Sequence, residues 1–270
     1  MVGKFFKKLY TFLIFLFLYA PIAVLIAFSF NNSRSRGVWG GFTLKWYKEL
    51  FNDTQIMSAL YYTILVAVLS SIIATIIGTA AAVGINNMKR HKKNLVLNIT
   101  YLPVLNPDII TGISLMILFI FINSKFGFGN LGFWSLLLAH ITFNIPYVIL
   151  SVMPKLKQLN KYVYEAALDL GATPWYAFRK IILPEIMPGV VTGALLAFTL
   201  SIDDFVISFF TTGSGVSNLS IVVYSMARRG INPKINALST IMFVSVLLLL
   251  ILVNSRMSGN NIKKQRESEI

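Results

Sequence analysis

Six long apolar runs constrain this chain more than any other feature of its sequence. They extend from Leu9 to Phe30, from Ala59 to Ile85, from Leu95 to Ile122, from Leu131 to Met153, from Ile186 to Phe210 and from Ile235 to Val253. Each is about as long as the roughly 20 helical residues that cross the hydrocarbon core of a bilayer. Hydrophobic residues make up 56% of the chain and charged residues 13%, which excludes an ordinary soluble domain. We therefore predict an all-α polytopic membrane protein with six transmembrane helices, forming a single membrane domain over residues 1–270.

The basic residues predict how these helices cross the membrane. Cytoplasmic loops carry an excess of Lys and Arg, and most of the 24 Lys and Arg fall on one side if the N-terminus is inside. We expect both termini to be cytoplasmic, with a cytoplasmic tail at about residues 255–270. The first run is longer than a signal-peptide core and lacks an A-x-A-like cleavage site, so we expect it to be retained. The positive charges lie between apolar runs and form no nucleic-acid-binding motif, so the expected partner is the lipid bilayer and not nucleic acid.

Two adjacent carboxylates interrupt the fifth run, in the stretch TLSIDDFVISFF. An aspartate at the centre of a membrane helix costs roughly 2.5–3.5 kcal/mol, so such residues usually face protein or a water-filled cavity. On an ideal helix Asp204 shares one stripe with Ser201, Gly193 and Gly189, which is typical of a face packed on protein. Asp203 lies about 100° away from Asp204. We therefore rank Asp204, with Ser201, above Asp203 as a candidate residue of a solute path.

The third run contains a further carboxylate beside two prolines, in YLPVLNPDIITG. Pro103 and Pro107 make a continuous α-helix unfavourable here, and irregular backbone at membrane depth is tolerated only where it is buried in protein or lines a cavity. Asn106 and Asp108 are therefore candidates for the solute path. Alternatively, Asp108 caps the helix that follows Pro107.

The acidic residues predict a cationic cargo. Lys and Arg lie outside the apolar runs, so we expect the three carboxylates to lack a cationic partner within this chain. The missing positive charge is then the cargo, unless a second subunit neutralises Asp203 or Asp204 or burial keeps them protonated. Trp46, in a short helix expected after a Thr43 cap, belongs either to the aromatic belt or to a cation–π contact with the solute.

A long segment between the fourth and fifth runs has the composition of a docking surface. In YEAALDLGATPWYAFRKIILPEIMPG (164–189), a short helix is expected before Gly171, which permits a backbone turn. Pro184 and Pro188 are expected to interrupt helical continuity before the fifth span. Apolar side chains around Trp175 predict contact with a partner protein or, alternatively, with lipid headgroups.

The same segment resembles the EAA loop of permease subunits of binding-protein-dependent ABC importers. The matching residues are Glu165, Ala166, Ala167, Gly171, Ile181, Leu183 and Pro184. The resemblance implies the type I importer permease fold, with a coupling loop at about 154–185 that docks on an ATPase subunit. The chain has no G-x-x-x-x-G-K-[ST] motif. We therefore expect no catalytic residue, metal or cofactor in this chain, because a partner ATPase dimer binds ATP and Mg²⁺.

Several segments together resemble the PotC-type permeases of spermidine/putrescine importers. They are NPDIITGISLMILF, the EAA segment, TLSIDDFVISFFTTG and IVVYSMARRGINPKINALSTIMF. The resemblance implies polyamine transport in a bacterial cytoplasmic membrane, a heterodimer with a second homologous permease, and an extracytoplasmic polyamine-binding protein. Two alternatives stay open: an ABC permease for a different substrate, and an ion-coupled secondary transporter of a cationic solute, whose usual internal repeats are not evident here.

Overall fold

The computed structural model describes residues 2–33, 38–127, 130–213, 215–229, 233–248 and 251. In these ranges the regular secondary structure is helical, apart from one isolated bridge between Asn31 and Phe42. The helices are α1 (Val2–Ser29), α2 (Lys45–Phe51), α3 (Thr54–Asn86), α4 (Arg90–Leu105), α5 (Asp108–Phe126), α6 (Phe133–Gln158), α7 (Lys161–Asp169), α8 (Pro174–Ala177), α9 (Leu183–Asp203), α10 (Val206–Thr211), α11 (Leu219–Arg229) and α12 (Lys234–Leu248). A π-helical turn, Phe178–Ile182, joins α8 to α9.

Five helical segments are long and apolar enough to cross a membrane: Phe6–Ser29, Thr54–Asn86, Asp108–Phe126, Phe133–Gln158 and Pro174–Asp203. The shorter apolar α12 lies where the sixth span is predicted. The all-α class is therefore confirmed. The C-terminal end of that sixth span and the predicted tail at 255–270 lie outside the described residues.

Two predicted spans are each divided into two helices. The third run contains α4 and α5, which are separated at Asn106 and Pro107, so the predicted interruption there is confirmed. The fifth run contains α9 and α10, separated at Asp204 and Phe205, where we expected one continuous helix. Within the described residues, the predicted spans therefore contain two helix breaks, and each carries an aspartate.

The chain divides into two compact units, residues 1–58 with 222–270 and residues 59–221. In the first unit, the Trp46 indole is 2% exposed and its Nε1–H donates to the Asn31 carbonyl at 2.7 Å. Trp46 is therefore enclosed by its own unit, and its predicted place in the aromatic belt or in a solute contact stays a prediction. Helix α2 begins at Lys45 after an N-cap at Leu44, while Thr43 Oγ1 accepts from the Lys45 N–H at 3.1 Å.

The second unit is built around α6, whose inner face packs on α3 and α9. Glycines allow the close approach: a Cβ on Gly78 would lie 2.7 Å from Val148 Cβ, and one on Gly193 would lie 3.1 Å from Val148 Cα. A Cβ on Gly189 would come within 2.9 Å of the Ser151 carbonyl oxygen. The small-residue face of the fifth span is thus packed on protein, as predicted, and the protein is this chain's own α6.

Helix α9 does not have the interruption that its prolines predicted. It starts at Leu183 with Pro184 in its first turn, where the missing N–H removes no α-helical bond. Pro188 lies inside the helix, as prolines in membrane helices can. The π-helical turn, which tolerates altered hydrogen bonding, leads into α9 directly. The prediction of a break at Pro184 and Pro188 was therefore wrong.

Candidate translocation site and coupling loop

Asp204 forms the helix break between α9 and α10. Its backbone is extended, with φ −64° and ψ 124°, and its carboxylate caps α10. Oδ1 accepts the Ile207 N–H at 3.2 Å, and Oδ2 accepts both the Ser208 N–H and the Ser208 hydroxyl at 2.7 Å. The side chain is 7% exposed. Asp204 is therefore a buried, hydrogen-bonded helix cap in this chain.

His140 of α6 completes this cluster. Its Nε2 lies 3.0 Å from Ser208 Oγ and 3.5 Å from Asp204 Oδ2, and the side chain is 2% exposed. Asp204 therefore has a histidine neighbour within this chain that the sequence analysis overlooked. The signal was present in the sequence: His140 lies inside the fourth apolar run, where a polar residue usually faces the protein interior.

A second polar layer lies one turn from His140 along α6. Asn144 Nδ2 donates to Ser201 Oγ at 2.8 Å and to Ser70 Oγ at 3.4 Å, and the two serine oxygens are 3.0 Å apart. These three buried side chains join α3, α6 and α9. Ser201 was predicted to line the solute path, but it is enclosed in this layer. The sequence analysis missed the roles of Ser70 and Asn144, since small polar residues in an apolar run do not reveal which distant residue they contact.

Asp203 and Asp108 are exposed, unlike Asp204. Asp203 is the last residue of α9, and Asp108 is the first residue of α5. In the part of the chain that the structure describes, neither carboxylate has a hydrogen bond or an ion pair, so the alternative that Asp108 caps α5 is not observed. Asn106, at the C-terminus of α4, is also exposed and has extended backbone. Asp203 is thus more accessible than Asp204, which the sequence analysis ranked higher, and the assignment of either residue to the solute path stays a prediction.

The two helix breaks lie at the same level of the second unit. Gly112 follows Asp108 by one turn, and a Cβ built there would lie 3.3 Å from Ile207 Cα and 3.1 Å from Phe210 Cδ2. The start of α5 therefore packs against α10, directly after the second break. Asp108 lies one turn before this contact and Asp203 lies four residues before Ile207, so both carboxylates are close along the chain to the contact between α5 and α10.

The predicted coupling loop projects from the core. Helix α7 is capped by Asn160, whose Oδ1 accepts the Tyr162 N–H at 3.0 Å. Gly171 has φ +88°, a conformation that favours glycine, and an added Cβ would meet nothing within 4 Å. Leu170 is 89% exposed, and Glu165 is exposed as well.

The remaining residues of the EAA match divide between surface and core. Ala166 and Pro184 are exposed, Ala167 and Ile181 are half-buried, and Leu183 packs against the core cluster of α3, α6 and α9. The loop thus presents a small-residue surface at one end and inserts apolar side chains into the core at the other.

Comparisons with known proteins agree with this architecture. The family described as "Binding-protein-dependent transport system inner membrane component" matches residues 74–259. The spermidine/putrescine transport system permease protein PotC of Escherichia coli (strain K12) is 41% identical over 251 residues, 93% of each chain. The putrescine transport system permease protein PotI of the same strain is 42% identical over 234 residues, 86% of this chain and 83% of that protein.

Two solved structures share the fold at low sequence identity. A bacterial ABC transporter involved in alginate import gives a TM-score of 0.71 at 20% identity, covering 94% of each chain. The MetNI methionine ABC transporter gives 0.60 at 19% identity, covering 75% of this chain and 94% of that chain. This chain therefore belongs to the family of inner membrane components of binding-protein-dependent transport systems, and it has the fold of ABC importer permeases.

Proposed function

We propose that this chain is the permease subunit of an ATP-driven importer of polyamines such as spermidine and putrescine. It would form half of the translocation path, and a second homologous permease would form the other half. The observation that carries the proposal is the pair of exposed carboxylates at two adjacent helix breaks, Asp108 and Asp203. The names of the two E. coli relatives, both polyamine permeases, support the same cargo.

The chemistry of the two breaks suits a flexible polycation. A carboxylate and an ammonium group form charge-assisted hydrogen bonds, which are roughly twice as strong as neutral ones. Their attraction increases where water is excluded. Broken helices near the middle of the membrane recur as solute sites in transport proteins. Asp108 and Asp203 would bind successive ammonium groups, while Asn106 would contribute an amide beside them.

The EAA segment would couple this path to a separate ATPase dimer. From Pro174 to Asp203 the chain is helical throughout, so a displacement of α8 can be transmitted along α9 to the helix break. Docking of Glu165, Ala166 and Gly171 on an ATPase would move this helical segment as the permease changes between inward- and outward-facing states. The partner would bind ATP and Mg²⁺, and this chain would carry out no covalent chemistry.

The remaining assignments follow from this function. The chain would lie in the bacterial cytoplasmic membrane with both termini inside, as the basic residues predict. An extracytoplasmic polyamine-binding protein would deliver the solute from the other side. Arg228 and Arg229, at the end of α11, are exposed and would suit docking of an acidic surface.

The test is uptake of labelled spermidine into vesicles that hold the co-expressed complex and its binding protein, with and without ATP. We expect ATP-dependent uptake that Asp203→Asn reduces in fully assembled complex. We also expect Glu165→Lys to separate ATP hydrolysis from uptake, while Glu165→Gln, which keeps the shape, has a smaller effect. Uptake that follows a proton or sodium gradient without ATP would contradict the proposal, and ATP-driven uptake of an uncharged solute instead of spermidine would overturn the polyamine assignment.

A further inference from the structure

The buried cluster of His140, Asp204 and Ser208 has no direct role in the proposed path, since its side chains are enclosed by α6 and α10. Buried polar groups of this kind are costly unless they satisfy one another. Asp204, which belongs to this cluster, is nevertheless the residue directly after Asp203. A change in the cluster can therefore affect the exposed carboxylate of Asp203.

The hydrogen bonds fix the position of one proton. An ionised Asp204 carboxylate can only accept, so the Ser208 hydroxyl donates its single proton to Asp204 Oδ2 at 2.7 Å. Ser208 Oγ must then accept from His140, and Nε2 of the imidazole carries a proton. With an ionised Asp204, His140 is therefore a donor to the cluster, whether or not the ring is also charged.

The same cluster determines where α9 ends. Asp204 is held from one side by the α10 amides and His140, and from the other by Asn218, whose Nδ2 donates to the Asp204 carbonyl at 3.0 Å. These contacts stabilise the extended backbone at Asp204. Asp203 itself has helical backbone as the last residue of α9, so release of the Asp204 side chain would let α9 continue past Asp203 and would change the surroundings and exposure of that carboxylate.

We propose that His140 is a positioning residue for transport, which holds Asp204 at the start of α10 and thereby keeps Asp203 at an exposed helix end. The role in polyamine transport rests on the function proposed above, whereas the positional effect on Asp203 does not. His140 does not contact cargo; it acts through Asp204 and Ser208.

The positional effect can be measured without any cargo. The chain contains no cysteine, so Asp203→Cys introduces its single thiol. In the assembled complex, we would compare the rate of modification of that thiol by a small cationic thiosulfonate in three backgrounds: His140, His140→Gln and His140→Leu. Glutamine keeps an N–H donor, and leucine removes it.

We expect His140→Leu to change the modification rate at least about fivefold, as the loss of one buried hydrogen bond would. We expect His140→Gln to leave the rate near that of the parent. Should His140→Leu not assemble, Ser208→Ala provides the same test, because it removes the hydroxyl that bridges His140 to Asp204. Equal rates in the assembled variants would overturn the proposal.

Spermidine uptake by the same His140 variants, with Asp203 intact, links position to transport. We expect His140→Leu to raise the apparent KM more than it lowers the maximal rate per assembled complex, and His140→Gln to restore the KM. In an Asp204→Asn background, His140→Leu should add little, because both changes disable the same contact. A fall in the amount of assembled complex with an unchanged KM would assign His140 to stability alone. If the parent complex imports no polyamine, the proposed function fails, while the labelling rates still decide the positioning role.

Discussion

Each of the two helix breaks of the membrane core contains an aspartate, but one of these carboxylates is buried and hydrogen-bonded and the other is exposed. At the break between α9 and α10, Asp204 is buried and accepts hydrogen bonds from two backbone amides and the Ser208 hydroxyl. At the break between α4 and α5, Asp108 is exposed, and no hydrogen bond or ion pair of its carboxylate occurs in the described ranges. The same residue type therefore serves as an internal cap at one break and is available to a ligand or partner at the other.

The difference shows that intramembrane aspartates cannot be assigned to a solute path by their depth alone. A buried carboxylate whose acceptor positions are filled contributes to the fold, since removing it leaves its donors unsatisfied. A carboxylate at an exposed helix end has acceptor positions to offer. Asp203 is such an exposed carboxylate at a helix end, although it is adjacent to the buried Asp204 in the chain.

The largest effect is expected from removing the internal cap. Asp204→Ala should destabilise the assembled complex by about 2–4 kcal/mol, because the α10 cap is lost and the Ser208 hydroxyl loses its buried acceptor. Thermal unfolding in detergent measures the change, with Asp203→Ala as the matched control. An equal loss of stability in both variants would remove the distinction between the two carboxylates.

A somewhat smaller effect is expected where the two breaks pack together. Gly112→Val should cost roughly 1–3 kcal/mol, because the added methyl groups would collide with α10. Gly84→Val is the control, since a Cβ there meets nothing within 4 Å. Unfolding curves that coincide for the two variants would show that α5 and α10 do not pack closely at this level.

Asp108→Asn should affect transport and leave stability unchanged. We expect the apparent KM for spermidine to rise about tenfold, the equivalent of one charge-assisted hydrogen bond of roughly 1.5 kcal/mol. Asp108→Glu, which retains the charge, should stay closer to the parent. A normal KM together with a lowered unfolding temperature would instead assign Asp108 to the fold.

The smallest effect is expected from Ser208→Ala, which removes one hydroxyl from the buried cluster and keeps the Asp204 cap. We expect a loss of about 1 kcal/mol in the free energy of unfolding. Ser124→Ala is a suitable control, because the Ser124 hydroxyl is exposed and donates a hydrogen bond to the Phe121 carbonyl of its own helix. If Ser208→Ala lowered the free energy of unfolding as much as Asp204→Ala does, the Ser208 hydroxyl would account for the whole stabilising effect of the cap.

Much of this architecture was predictable from local chemistry. The apolar runs predicted the helical class, Pro107 predicted the break in the third run, and Gly171 predicted a turn that the structure realises at φ +88°. The small residues at Gly189 and Gly193 predicted a face packed on protein. Each of these signals is carried by residues close together in the chain.

The buried cluster was not predicted, because it depends on contacts between distant parts of the sequence. His140 and Asp204 are 64 positions apart, and only the packing of α6 on α9 and α10 brings them together. The ranking of Asp204 above Asp203 assumed a continuous helix, but the Asp204 side chain itself ends that helix. The burial of Trp46 was not predicted for a related reason, since its indole partner, the Asn31 carbonyl, is a backbone group with no sequence signal.

The most direct test of the contrast between the breaks is thiol accessibility in the assembled complex, using Asp108→Cys and Ser208→Cys in this cysteine-free chain. The measured quantity is the rate of modification by a small cationic thiosulfonate, with and without spermidine. We predict rapid modification after Asp108→Cys, slowed by spermidine, and negligible modification after Ser208→Cys. Comparable rates at both positions, each slowed by spermidine, would show that the buried cluster lines the path and would contradict this account.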